Sequence, residues 1–202
     1  GGHVNIGGSR EGQGPLPNSA GVFISRDARV TANARTRGDG GALVVHALDT
    51  AQIHGTLEAK GGALGGDGGF VETSGRQHLD LTATPLVTAA AGAPGLWLID
   101  PVNLVITATS NVCVLASGCV AGPDWQATGN GATVGVNLIN AALNAGQNVT
   151  LTTGAAGAQA GDITFSGTPT ITKSAGAADV TLTMRSHNDV ALTRPITHSG
   201  AA

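Results

Sequence analysis

Glu72 is the residue most open to a chemical reading. It is a carboxylate inside the run Phe70-Val-Glu-Thr-Ser74, where it could act as a general acid or base. Asp80, Asp100 and Asp162 could join into the kind of carboxylate cluster that polysaccharide lyases and hydrolases use. The plainer readings weigh more. Glu72 in an alternating strand points to solvent or bonds a corner. The three aspartates recur at strand ends, where short polar side chains shape turns. The histidines, His3, His46, His54, His78, His187 and His198, lack tight metal-ligand spacing, and no serine stands on a nucleophile elbow. The two Gly-Asp-Gly-Gly blocks, around Asp39 and Asp67, lack the Gly-Gly-x-Gly-x-Asp order of calcium repeats. No enzyme activity, cofactor or metal is expected.

Three further positions carry covalent chemistry. Asp100-Pro101 is a bond whose own side-chain carboxylate can attack the carbonyl; a rigid turn is the favoured reading. Asn148-Val-Thr150 is an Asn-x-Thr sequon, and Asn148 also fills a corner slot before a strand. Cys113 and Cys119 are six positions apart around Ser117-Gly118, a spacing that suits either free thiols or a small disulfide loop.

The elements that must position these residues are short. Glycine supplies 32 of 202 residues, aromatics 2% and charged residues 11%. A thin aliphatic core under a Thr/Ser/Asn/Gly surface follows, against a typical charged share of about a quarter. The stretch Gly61–Gly75 sets the pattern: a glycine-rich corner, a strand from Phe70, another corner. Val30–Gly41 can be laid on Leu57–Gly69, each ending in Gly-Asp-Gly-Gly and each leading into a strand at Ala42 or Phe70. Val87–Leu96 is a weaker third copy leading into Trp97. A repeat of this length marks a solenoid. Short alternating runs at 22–24, 29–34, 52–54, 56–59, 78–82, 102–107, 148–153, 162–165, 170–172, 179–184 and 189–192 read as its strands. The fold class is therefore all-β, a parallel β-helix. Roughly eight coils at about 4.8 Å each would make a rod about 40 Å long.

Two segments depart from the pattern. Val136, Ile139 and Leu143 fall on one helical face before Gly146, which predicts one short helix near 136–145. Residues 110–131 read as an irregular insertion, and Ser9–Ser19, with Pro15 and Pro17, as a loop. The whole chain, 1–202, reads as one unit: glycine-rich coils over 1–100, then continuing coils over 101–202 after the Asp-Pro turn. Net charge is −3, and the arginines near the start (Arg10, Arg26, Arg29, Arg35, Arg37) have no aromatic platform, so nucleic acid is not an expected partner. The apolar run 86–99 is too short and too broken to span a membrane.

Gly68-Gly-Phe-Val-Glu-Thr-Ser-Gly75 followed by Trp97-Leu-Ile-Asp-Pro101 resembles the filamentous-haemagglutinin-like large exoproteins exported by two-partner secretion in Gram-negative bacteria. Gly1–Gly8, Gly38–Val45 and Ile139–Thr153 are similar to further parts of that family. The resemblance implies a right-handed β-helix, secretion to the bacterial cell surface, and a role in adhesion. It makes this chain a shaft segment of a longer protein, whose transporter-engaging region lies elsewhere. The expected function is thus a rigid stalk presenting binding surfaces to cell-surface glycans or proteins, with end-to-end self-association at its open edges. The competing expectations are a carbohydrate-active β-helix enzyme and a filament-forming mechanical spacer.

Overall fold

A computed structural model describes residues 1–109, 131–154 and 158–199. It is built mainly of parallel β-structure. The first sheet stacks six strands in the order β1 (His3–Ile6), β4 (Ala42–Ala47), β7 (Phe70–Gly75), β9 (Leu96–Ile99), β12 (Asn148–Thr152) and β15 (Leu182–Arg185). The second stacks β2 (Gly21–Ile24), β5 (Thr50–Ile53), β8 (His78–Leu81), β11 (Gly131–Gly135), β10 (Leu104–Thr107) and β13 (Ile163–Phe165). Two further pairs are β3 (Arg29–Thr31) with β6 (Thr56–Glu58), and β14 (Ile171–Lys173) with β16 (Ile196–His198). Six stacked strands span about 24–29 Å, shorter than the rod expected from eight coils.

The pairing register explains the repeat. Ala42 lies against Phe70 and Thr50 against His78, each 28 residues on. The offset is 27 at Arg29↔Thr56 and 26 at Phe70↔Leu96. In the first half each interval between register partners, termed a circuit, contributes one strand to each six-stranded sheet. Alternate residues of these strands (Leu43, Val45, Val71, Trp97, Ile99, Val149 and Leu151) form a single aliphatic core with one indole in it. Period-two alternation puts these residues on one face of their sheet.

The second half departs from simple succession. β10 does not pair with β8; β11, which follows it in sequence, lies between them. After β9 the chain moves one level ahead, and β11 then returns to the level left open. α1 (Val136–Asn144) follows, burying Val136, Leu138, Ile139, Ala142 and Leu143. Gly146, at φ +73, ends it in the left-handed conformation that glycine favours. The helix is where the spacing predicts it, with Leu138 an additional buried position. The expected strand at 189–192 is reduced to a single bridge, Ile163↔Val190, whereas β11 and β16 were not anticipated.

The corner residues act differently from the expectation. Asn148 and Asp162, expected to bond the local backbone of their corners, instead accept backbone N–H groups of Thr181 and Asp189 further along the stack, and other Asp and Asn side chains do the same. Asn33 Oδ1 receives Lys60, Asp39 receives Asp67, Asp67 receives Ala93, Asn140 receives Thr172 and Asp162 receives Asp189, at 2.7–3.1 Å. Each carboxylate or amide satisfies a donor that the corner would otherwise leave unpaired.

Candidate functional site

Charged side chains gather on the outward face of the first sheet. Val44 lies beside Glu72 and Glu72 beside Leu98. One column along, His46 lies beside Ser74. Asp100 follows one residue beyond the Thr73↔Ile99 pair, which brings it level with Ser74. An outward face should be wet, yet His46 is 1% exposed and Glu72 and Ser74 are fully buried. The cover is the loop predicted at Ser9–Ser19, which folds back over the sheet as a strap. Both oxygens of Glu72 accept the backbone N–H of Glu11, each at 3.0 Å. Asn18 Nδ2 closes the strap on Gly12 O at 2.8 Å, and the Arg10 guanidinium sits 4.4 Å over the Phe70 ring. Gly12 is held at φ +68, and a Cβ there would stand 2.6 Å from His46 Nε2. A glycine is the residue that fits.

Glu72 therefore does not face solvent. Neither plain reading describes it: its partner is the strap residue Glu11, not solvent or a corner. His46 Nδ1 stands 3.5 Å from Glu72 Oε1. Neither ring nitrogen of His46, nor Ser74 Oγ, has a hydrogen-bond partner among the described residues. Beneath the strap a cavity of about 240 Å³ is lined by Glu11, Gln13, His46, Arg76, Asp100 and Pro101, with backbone from Gly12, Val102 and Gly154 completing the wall. Burial, then the charges of Glu72 and Glu11, push the Asp100 carboxyl up to about 6, while His46 and Arg76 pull the other way.

The other candidate residues lie apart from this site. Asp80 is inside β8, 1% exposed and 3.7 Å from His54 Nε2, so it is not a turn residue. Asp162 bonds Asn188 and the backbone of Asp189. The three aspartates considered as one cluster are thus held by three separate sets of partners. Asn148 spans two neighbours, donating to Pro94 O at 3.3 Å and accepting Thr181 N–H at 2.7 Å, so both ends of the sequon amide are engaged. Cys113, Cys119 and the insertion at 110–130 lie outside the described residues. Among the described residues no group of His, Cys, Asp and Glu has metal-binding geometry, and no helix is long and apolar enough to cross a membrane. The signal for the His46–Ser74–Asp100 column was in the internal repeat. Extending the Ala42/Phe70/Leu96 alignment along its strands brings the three residues level. The chain matches no protein-family model and no curated protein.

A second charged cluster is structural. Glu58, 4% exposed, accepts bonds from Arg29 Nη2 at 2.9 Å and Asn33 Nδ2 at 2.8 Å, and meets Lys60 Nζ at 3.0 Å. Burial raises its pKa, but the bonds from Asn33, Arg29 and Lys60 together outweigh burial and hold the carboxyl at about 2. A depressed carboxyl stabilises the fold above its unfolded pKa, and that stabilisation is lost as pH falls from about 4.5 towards 2. Glu58→Gln is expected to cost about 2 kcal/mol at neutral pH, discounted because Arg29 is largely exposed. The deficit should shrink towards zero as pH falls through that window. Urea denaturation of both proteins at several pH values checks it; a constant deficit would count against the linkage.

Proposed function

We propose that this chain is a length of shaft from a secreted, surface-displayed bacterial adhesin, a right-handed parallel β-helix that works by display rather than catalysis. The observation that carries the reading is the ladder itself. Strand after strand of both six-stranded sheets pairs in parallel with a strand about one circuit away, and the corners add side-chain bonds between circuits. Such an arrangement is stiff along its axis, since each repeat is held by its neighbours. The resemblance of Gly68–Gly75 and Trp97–Pro101 to the filamentous-haemagglutinin-like exoproteins supports the same conclusion. On this reading the protein is exported through an outer-membrane two-partner transporter and meets glycans or proteins of a cell surface.

The terminal strands favour self-association as well. Among the described residues β1 and β15 end the first sheet, each with a partner strand on one side only. Unpaired strand edges template further pairing. Beside β15 a recess of about 400 Å³ has a mixed lining, Leu143, Ile171, Leu182 and Ile196 together with Lys173, Asp179 and His198. Sedimentation should therefore show a concentration-dependent mass, and a strict monomer at high concentration would count against end-to-end stacking.

The deciding experiment is a glycan and cell-binding screen of the purified chain, run beside an assay for polysaccharide turnover. Binding without turnover is the expected result. Turnover would overturn the reading in favour of a carbohydrate-active enzyme. Filaments with no binding would leave a mechanical spacer.

A further inference from the structure

The strap and cavity over the first sheet have no purpose in a plain shaft. A stalk would be stiff enough from its ladders alone, yet here a loop covers the His46 imidazole and the Glu72 carboxylate beside a cavity that Asp100 and Pro101 also line. The Asp100–Pro101 bond lies where β9 ends and the chain advances one level before β10. The chain is anchored on either side of it: Ile99 pairs with Thr73 and Leu151, and beyond it the Pro101–Val102 peptide is held by Val102 N–H donating to Arg76 O at 2.9 Å and Gly154 N–H donating to Pro101 O at 3.2 Å. Asp100, Pro101 and His46 line the same 240 Å³ cavity, which has room for water. His46 is 1% exposed and its Nε2 is without a hydrogen-bond partner among the described residues.

We propose that Asp100–Pro101 is a self-cleavage site, in which the Asp100 carboxylate attacks its own main-chain carbonyl and His46 supplies the proton that releases Pro101. A C–O bond forms between the side-chain oxygen and the carbonyl carbon, closing a five-membered cyclic anhydride. The C–N bond to Pro101 breaks, and its electron pair stays on the proline nitrogen, which takes the proton. Water then opens the anhydride, so the net change is addition of one water with no oxidation or reduction. The products are an Asp100 carboxy terminus and a secondary amine at Pro101.

Each part of the site has a role in this sequence. Attack needs the ionised carboxyl, and departure needs a protonated nitrogen; both are present when the acid and base titrate close to the working pH. Asp100, pushed up to about 6, is divided between its two forms in mildly acidic solution. The groups facing Asp100 are Glu72, Glu11, His46 and Arg76. Glu72, 3.5 Å from His46 Nδ1, would orient the ring. Anchoring the flanking residues, Ile99 in its strand and the Pro101–Val102 peptide by its two hydrogen bonds, supplies the orientation that an unfolded Asp-Pro sequence lacks.

The nicked chain should not fall apart. β9 remains paired with β7 and β12, and β10 with β11 and β13. The test is incubation of the full chain between about pH 5 and 7, on both sides of the Asp100 value of about 6, followed by denaturing mass spectrometry and native gel filtration. Two fragments, 1–100 and 101–202, summing to the parent plus one water and co-eluting under native conditions, are expected. Asp100→Asn should abolish cleavage, and His46→Gln should slow it at least about tenfold. Pro101→Ala, which leaves the cavity groups in place, should also slow it by removing the more basic leaving nitrogen. A native chain that stays intact throughout overturns the proposal. So does cleavage that runs equally fast in urea or in His46→Gln, since that is ordinary Asp-Pro lability without help from the fold.

Discussion

Trp97→Ala is expected to lower stability by about 3–5 kcal/mol, the largest loss from any core truncation in this chain. The reason lies in how little else fills the centre. The core is aliphatic and thin, and Trp97 is its bulkiest fully buried side chain. It lies in the ladder between Val71 and Val149, so its removal opens a void shared by three circuits. The indole N–H also donates to Thr73 Oγ1 at 2.9 Å, and losing that partner leaves a buried hydroxyl short of a bond. Chemical denaturation of the two proteins measures the total. Trp97→Phe separates the contributions: it refills most of the space but cannot donate, and should cost about 1–2 kcal/mol. If the phenylalanine variant were as unstable as the alanine one, packing would not be the main term. In a stacked architecture stability is carried by interfaces between neighbouring repeats. Amide exchange should accordingly rise first in β7, β9 and β12 and remain slow in β2 and β5.

Much of this arrangement could be read from the residues. The twin Gly-Asp-Gly-Gly blocks and the runs after them predict parallel strands about 28 residues apart, and the register at Ala42↔Phe70 has that offset. The helix could be read from Val136, Ile139 and Leu143 because its periodicity changes from two to 3.6. What could not be read was any feature set by contacts across circuits. Local turn chemistry describes Asp39 and Asp67 without indicating that their oxygens reach the next corner. Ser9–Ser19 has the composition of a loop, and composition does not say what a loop covers. The burial of His46, Glu72 and Ser74 therefore ran against a solvent-facing reading of Glu72 that alternation alone would support. The exchange of β10 and β11 depends on the long stretch between them, and strand patterns carry no information about which level a returning strand will occupy.

Gly69→Ala is the second large effect, about 3–5 kcal/mol, from the addition of one methyl group. A Cβ at Gly69 would stand 2.2 Å from Gly41 O and 2.7 Å from Ala59 O. Both are backbone atoms, Gly41 O on the preceding circuit and Ala59 O ten residues back on the same one, and both are already committed to hydrogen bonds: Gly41 O accepts Phe70 N–H, and Ala59 O accepts Gly69 N–H. No rotamer can relieve the clash, so the corner must open and those bonds must lengthen or break. Gly95 continues the same column, its own Cβ position 2.4 Å from Gly69 O. Gly2→Ala is the control, because nothing lies within 4 Å of its Cβ position. That change should fall within about 0.5 kcal/mol of the parent or stabilise slightly through the unfolded chain. Equal tolerance of both substitutions would mean that successive corners do not touch, and the circuit-on-circuit stacking would then be wrong. The expected contrast also explains the glycine content in physical terms. At Gly41, Gly69 and Gly95 one backbone passes directly against the next, so side chains are excluded there and concentrated on the strands. The same stacking fixes the register that brings His46, Ser74 and Asp100 level beneath the strap. Opening the corner at Gly69 should therefore disturb that cavity too, and slow any cleavage at Asp100–Pro101 that depends on it.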